Sequence, residues 1–565
     1  MNPVDAMDMH TTGEAVGTSR LTDLPPELLS QIIEYLIPEP PEIGETRPVT
    51  YDKLAAGELW YDITRNRHGL RSLCLTSRGL YAMAQPLLYR IISIVDEEGM
   101  VLLFRTLIER PELCYDTRYF SCHLTLTRIA VISDTKRAIT RLVNTFNPDY
   151  LLLRRDHAVV DRALRILFLA LPNLSARAGD FDDVPQILLF YVLTFMKKLE
   201  TLLLQLPVCE EHPEYTALFD KFAAPNMSST QTGGHSKETE SSVANSELPL
   251  QHVRTLLLQG DPEVIQHFEA DTCNCNIPDI WGVQIRRYWP VFKALPALTT
   301  LEVSADDGIW TSARHRQPDG SRPPYLETVQ HLYLHNSFAS PRDLNNALAN
   351  APALTTLYMT PRRYDDLFLD DDLFDGPEDE SHPESLDAAL LSRRRQLRHL
   401  DIGWMTCAGN EALIGDGGRL KCLPSMVRLD KLCVQLAVLY GTDAANLLTP
   451  MIDLLPPNLA ELTLEEYWWE DLDTYEQIPD WHISQMIMHY RDKREYRAQA
   501  LAILERLAED LLEQPGRMPK LRRVTFQVKI PWTWKFGGCY ETASHFEEVR
   551  DLFAERRVGF LVEEV

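Results

Sequence analysis

Few residues in this chain have the types and spacing that chemistry needs. Cys273 and Cys275 stand one residue apart in "CNC". Thiolates are zinc ligands, but a structural zinc site spaces them about two to four residues apart and adds a second pair, which is missing here. His482 and His489 lie seven apart in "WHISQMIMHYRDKREYRAQALAILERL", so a helix would bring them to one face. The surrounding charges suit an ordinary surface helix better than a paired-ligand site. "GDGGRL" at 415–420 is Gly-rich like a phosphate loop but has no lysine to meet a phosphate. No Ser-His-Asp order and no paired-carboxylate pattern stands out among the 82 acidic residues. The chain is therefore expected to carry no catalytic, metal-binding or cofactor-binding residues, and to act by binding.

Bulk properties narrow what it binds. The 565 residues carry a formal charge of -26. Such an acidic surface repels the phosphate backbone of nucleic acid and anionic membranes, so neither is an expected partner. No run reaches the roughly 20 apolar residues of a membrane span. The N-terminus "MNPVDAMDMHTTGEAVGTSR" lacks the apolar centre of a signal peptide. Ten scattered cysteines, several inside apolar stretches such as "RSLCLTS" and "LDKLCVQL", suit reduced buried thiols rather than a disulfide framework. A cytoplasmic or nuclear location is expected.

Those constraints shift attention to the elements. Residues 1–20 read as a disordered tail. Two further stretches read as flexible insertions: a Ser/Thr/Gly-rich one at about 223–250 and an acidic one at about 365–387. Neither holds enough apolar surface to offset the entropy of ordering it. Between them runs an irregular repeat with spacing L-x-x-L-x-L, in "LETLLL" (199), "VRTLLL" (253), "LTTLEV" (298), "VQHLYL" (329), "LTTLYM" (354), "LRHLDI" (397), "LDKLCV" (429), "LAELTL" (459) and "LRRVTF" (521). A Pro-x-Leu turn often enters it, as in "LPALTTL" and "MPKLRRV".

The fourth and sixth positions of each copy point to one face of a strand. One strand and its following helix cannot bury that face alone, but stacked copies share a continuous core. Spacing runs from 25 residues (329 to 354) to 62 (459 to 521), longer than the roughly 20–29 of regular leucine-rich repeats. Helix-like stretches such as "SPRDLNNALANAP" fill the difference. An α/β solenoid of parallel strands plus helices is the expected architecture over 93–535, with a C-terminal cap at 536–565. A doubly wound sheet is the alternative.

The N-terminal stretch "LTDLPPELLSQIIEYLIPEP" predicts a helix. Pro25 and Pro26 suit a first turn, where their missing N–H groups cost nothing. Asp23 stands where an N-cap oxygen or a favourable dipole charge is expected, and Glu27 adds negative charge in the first turn. Leu28, Leu29, Ile32, Ile33 and Leu36 form a wide apolar stripe. A second helical block at 69–92, "GLRSLCLTSRGLYAMAQPLLYRII", has its own stripe. About 50 residues of short helices make a small core, so they either lean on the repeats or are completed by another protein.

These two blocks together resemble the F-box, in the style common among fungal F-box proteins. The matching residues are Leu24, Pro25, Glu27, Leu28, Leu29, Ile32 and Leu36, then Leu70, Leu73, Cys74, Ser77, Arg78 and Leu80. "LLFRTLIERPELCYDTRYFSCHLTLT" at 102–127 is similar to the helix and first strand that often follow. Two departures are an insertion at about 37–68 and Leu80 where the family usually has an aromatic residue. The resemblance implies a small helical F-box at 21–92 followed by an irregular leucine-rich-repeat solenoid. It further implies a non-catalytic substrate-recognition subunit of a ubiquitin ligase. Leu24, Pro25, Glu27, Leu28, Leu29, Ile32, Leu36, Leu73, Cys74 and Leu80 would dock the Skp adaptor and through it cullin. The repeats would hold a protein substrate. A repeat scaffold without a ligase role, its N-terminal helices serving as a cap, is the alternative.

Overall fold

A computed structural model describes residues 24–37, 58–94, 97–122, 192–206, 250–260, 294–304, 326–337, 341–361, 385–403, 419–441, 448–465, 500–528 and 546–564, with a few isolated positions between. Twelve strands form one sheet whose order is the order of the sequence, β1 to β12, with every pairing parallel. They are β1 (Ile91–Ile94), β2 (Tyr119–Cys122), β3 (Thr201–Leu206), β4 (Thr255–Gly260), β5 (Thr300–Ser304), β6 (His331–Ser337), β7 (Thr356–Pro361), β8 (His399–Ile402), β9 (Lys431–Gln435), β10 (Glu461–Glu465), β11 (Arg523–Val528) and β12 (Gly559–Glu564). A doubly wound sheet reverses its strand order at a switch point. No reversal occurs, which leaves a solenoid-like α/β architecture.

All nine L-x-x-L-x-L segments are strands, β3 to β11. Their first, fourth and sixth positions enter one continuous core: Leu298, Leu301 and Val303 are fully buried there, as are Leu354, Leu357 and, in β10, Leu462 and Leu464. Each buried leucine contributes about 1.5–3 kcal/mol relative to exposure. A backbone device repeats at the entries of β2 to β11. The Arg254 carbonyl accepts from the N–H groups of Thr299 and Thr300 (2.8 and 2.9 Å), and the Arg398 carbonyl accepts from Asp430 and Lys431 (2.8 and 3.0 Å). One carbonyl thus serves two backbone donors of the next copy, which fixes register, and the Thr299 hydroxyl donates to the Arg254 carbonyl as well at 3.2 Å.

Helices cover the same face as that core. Three helices, α1 (Pro26–Glu34), α2 (Glu58–Thr76) and α3 (Arg78–Leu88), precede those packed on it, which include α4 (Glu97–Glu109), α5 (Pro341–Asn350) and α6 (Leu386–Leu391). The first three stand apart, with a core of their own: Leu29, Ile33, Leu70, Leu80 and Ala84. A last helix, α7 (Glu547–Glu555), precedes β12. It closes with Arg557 at φ 60°, where the Val558 N–H reaches the Phe553 carbonyl (3.1 Å) and the Arg557 N–H reaches that of Ala554 (2.9 Å). That double bond is a Schellman stop, and it turns the chain back onto the sheet.

The structure corrects several boundaries. The block expected as helix through residue 92 ends at Leu88, because Ile91–Ile94 pairs in register with Tyr119–Cys122; β-branched isoleucines favour that extended state. The same block is two helices, since the Ser77 hydroxyl caps α3 by accepting from the Leu80 N–H at 3.2 Å. Helix α2 already begins at Glu58, inside the stretch expected as an insertion up to 68. The region expected as a cap at 536–565 supplies the twelfth strand. The tail at 1–20, most of the two expected flexible insertions and Asp23 lie outside the described residues, and the N-cap of α1 is Pro25 with no side-chain cap rather than the expected Asp23. No described helix is long and apolar enough to cross a membrane.

Candidate functional site

Two surfaces carry the candidate residues: the N-terminal helices and the second face of the sheet. On α1 the apolar stripe divides. Leu29 and Ile33 point into the helical core, with Leu36 packed against it. Leu28 and Ile32 remain 46% and 41% exposed. Tyr35, at i+7 from Leu28, continues their face at 88% exposed. Of the expected adaptor contacts, Pro25, Glu27, Leu28 and Ile32 are at the surface. Leu29 and Leu80 are core residues, and Leu24, Leu36, Leu73 and Cys74 are half-buried against them. Tyr35 was not singled out in the sequence, although its spacing from Leu28 and Ile32 carried the signal.

The second face is built from the residues between the repeat leucines. Along its first row, Thr356 Oγ1 lies between Nδ1 of His331 (3.0 Å) and Nδ1 of His399 (3.5 Å), one residue from each of β6, β7 and β8. Next to them Glu461 pairs with Lys431 (3.2 Å) and Arg522 (2.8 Å). An open depression of about 270 Å³ runs over this row, lined by Tyr333, Tyr358, His399, Asp401, Lys431 and Cys433 among others.

The electrostatics of this row work in one direction. Burial lowers the pKa of His331. Burial also lowers that of His399, with Lys431 and His331 adding to the effect against Asp430 and Glu461. Burial pushes Glu461 up, but Lys431 and Arg522 together outweigh it and leave the carboxyl below its ordinary value. Each group therefore takes its proton later in the fold than in the unfolded chain. As pH falls below the ordinary 6.5 of the histidines, the unfolded state binds more protons and stability drops; Glu461 repeats this below its ordinary 4.5. The denaturation midpoint should fall between pH 7.5 and 5.5, and the His331→Gln/His399→Gln variant should lose less over that window. An unchanged slope in the variant would show that these rings do not carry the effect.

Among the described residues, one group of three drawn from His, Cys, Asp and Glu has metal-ligand spacing: Asp401, Cys433 and Glu465, with ligand atoms within 4.8 Å of one another. The Cys433 thiol donates to Glu465 Oε1 at 3.5 Å. Burial, and then the charges of Asp401 and Glu465, push that thiol well above its ordinary pKa. It stays protonated and acts as a donor between two carboxylates. The trio falls on β8, β9 and β10, so no local motif could announce it.

Several sequence candidates receive no geometry. Cys273, Cys275, His482, His489 and all but the last two residues of 415–420 lie outside the described residues. The five described cysteines, Cys74, Cys114, Cys122, Cys422 and Cys433, are unbridged. Burial raises the Cys114 thiol to about 12, so it packs as a small apolar group. No protein-family model matches the chain, and no curated protein matches it.

Proposed function

We propose that this chain is a non-catalytic substrate-recognition subunit of a Skp-cullin-F-box ubiquitin ligase. The N-terminal helices would dock the Skp adaptor and the repeats would hold a protein substrate. One observation carries the reading: the helices close a core of their own around Leu29, Ile33, Leu70, Leu80 and Ala84, yet leave Leu28, Ile32 and Tyr35 in an outward apolar row. A helix that served only its own fold would put charge there. An apolar row at i, i+4 and i+7 is the form in which a helix enters a partner's groove. The chain would then accelerate ubiquitin transfer by proximity and orientation, supplying no nucleophile or base.

One contact favours the scaffold reading. Ile37 packs on Ile91 and Tyr119 at the first edge of the sheet, as an end cap would. The two readings separate on a single measurement. The full-length chain, mixed with purified Skp adaptor, should elute with it as a 1:1 complex in size-exclusion chromatography. Separate elution at micromolar concentrations of both would leave the scaffold.

A further inference from the structure

A second cluster on the same sheet face, distant in sequence and independent of adaptor docking, has no account in the reading above. Gln259, Ser304 and His335 are direct neighbours across β4, β5 and β6, paired in register Gln259 to Ser304 and Ser304 to His335. Glu302 stands two residues before Ser304 on the same strand, hence on the same face. All four are at least nine-tenths buried: Gln259 8% exposed, Glu302 4%, Ser304 8% and His335 4%. Each presents an atom without a hydrogen-bond partner, namely Gln259 Oε1, Glu302 Oε2, Ser304 Oγ and His335 Nε2. All four residues line one cavity of about 10 Å³, floored by Leu203 and Leu257, which is room for a single water-sized occupant.

The local geometry also fits ligands of one ion. His335 Nε2 lies 3.2 Å from Glu302 Oε1, yet the ring nitrogen makes no hydrogen bond. Two atoms bound to one ion at about 2.0–2.2 Å stand roughly 3.0–3.5 Å apart without facing each other. A β-bulge between Leu334 and Ser337 breaks the β6–β7 register at this point. Such bulges re-aim a side chain. Tyr358 holds the His335 ring from the side, with centroids 4.9 Å apart.

Buried polar atoms are almost always satisfied, so four orphans around one cavity call for an occupant. One water of that size would give protons to Gln259 Oε1 and Glu302 Oε2 and take them from Ser304 Oγ and His335 Nε2, but it brings no charge to set against the buried Glu302 carboxylate. A cation meets all four at once and offsets the buried Glu302 charge. We propose that Gln259, Glu302, Ser304 and His335 form a binding site for one divalent first-row metal ion that ties β4, β5 and β6 together. One imidazole with three oxygen donors suits a cation of borderline softness, for which Zn²⁺ is the probe. His335 binds as the neutral ring through Nε2 and Glu302 as the carboxylate, so no redox partner is needed.

The test uses the full-length chain, stripped with EDTA, incubated with ZnCl₂ and passed through a desalting column. Elemental analysis should find one equivalent of zinc, and the melting temperature should rise with zinc. Co²⁺ in its place should give visible d–d bands without the near-ultraviolet charge transfer of a thiolate ligand. Glu302→Gln and His335→Ala should lose the equivalent. Gln259→Met, which keeps volume and should fold, should weaken uptake at least about tenfold, the scale on which loss of a supporting contact acts. Cys433→Ser should retain the ion. No retained zinc, a thiolate charge-transfer band, or undiminished uptake in Gln259→Met and His335→Ala would overturn the proposal.

Discussion

The Leu28→Asp/Ile32→Asp variant should fail to bind the Skp adaptor while melting close to the parent chain. Both side chains lie on the outward row of α1 and make no part of the helical core. Burying them against a partner would contribute about 1.5–3 kcal/mol each. Two aspartates forfeit that gain and must also be desolvated, so the expected loss of affinity is at least about 100-fold. Surface substitutions away from packing usually shift stability by no more than about 0.5 kcal/mol each. Leu29→Asp is the contrasting variant, because its charge enters the core with Ile33 and Leu70 and should unfold the helices. Isothermal titration calorimetry with the adaptor, alongside thermal melts, separates the two. Full-affinity binding by the double variant would sink the F-box assignment.

A second large effect is expected at the other end of the sheet. Phe526 in β11 is fully buried, with its ring 5.4 Å from that of Phe546. Phe546 lies 6.3 Å from Phe560 of β12, and Phe560 stacks on Phe553 of α7 at 5.2 Å and 3°. This chain of rings fastens the last helix and strand to the rest. Phe526→Ala should cost about 3–5 kcal/mol, the range for a large aromatic removed from a core. Stacked repeats contact only their neighbours, so the loss should stay local. Hydrogen exchange should accelerate across 523–528 and 546–564 while β5 to β7 keep their protection. Equal acceleration along the whole sheet would show that the solenoid melts as one unit.

Much of this was legible in the residues. The alternation in "LTTLEV" or "LAELTL" sets which side chains face the core, because a strand has period two whatever surrounds it. All nine such segments are strands for that reason. Three strands lie outside the pattern: β2, expected only from the F-box resemblance, and two that nothing in the sequence announced. "IISI" follows a helix too closely to stand out, and "GFLVEE" lacks the leucine spacing; both exist through pairing with β2 and β11. The apolar stripe of α1 was equally visible, but its division was not. Leu28 and Leu29 are neighbours of the same type, and only the packing of α3, through Leu80 and Ala84, turns one inward and leaves the other outside.

By itself, then, the sequence determined the α/β repeat class, the core positions of each repeat and the amphipathic first helix, all of which follow from local periodicity. Tertiary structure alone decided which residues meet on the second face. Repeat spacings of 25 to 62 residues hide cross-strand neighbours from any local motif. Gln259 and His335 are 76 positions apart, 335 minus 259, yet stand one strand removed from each other beside Ser304. Parallel register, held by the shared carbonyls at the entries of β2 to β11, assembles both the Gln259, Glu302, Ser304 and His335 cluster and the Asp401, Cys433 and Glu465 trio.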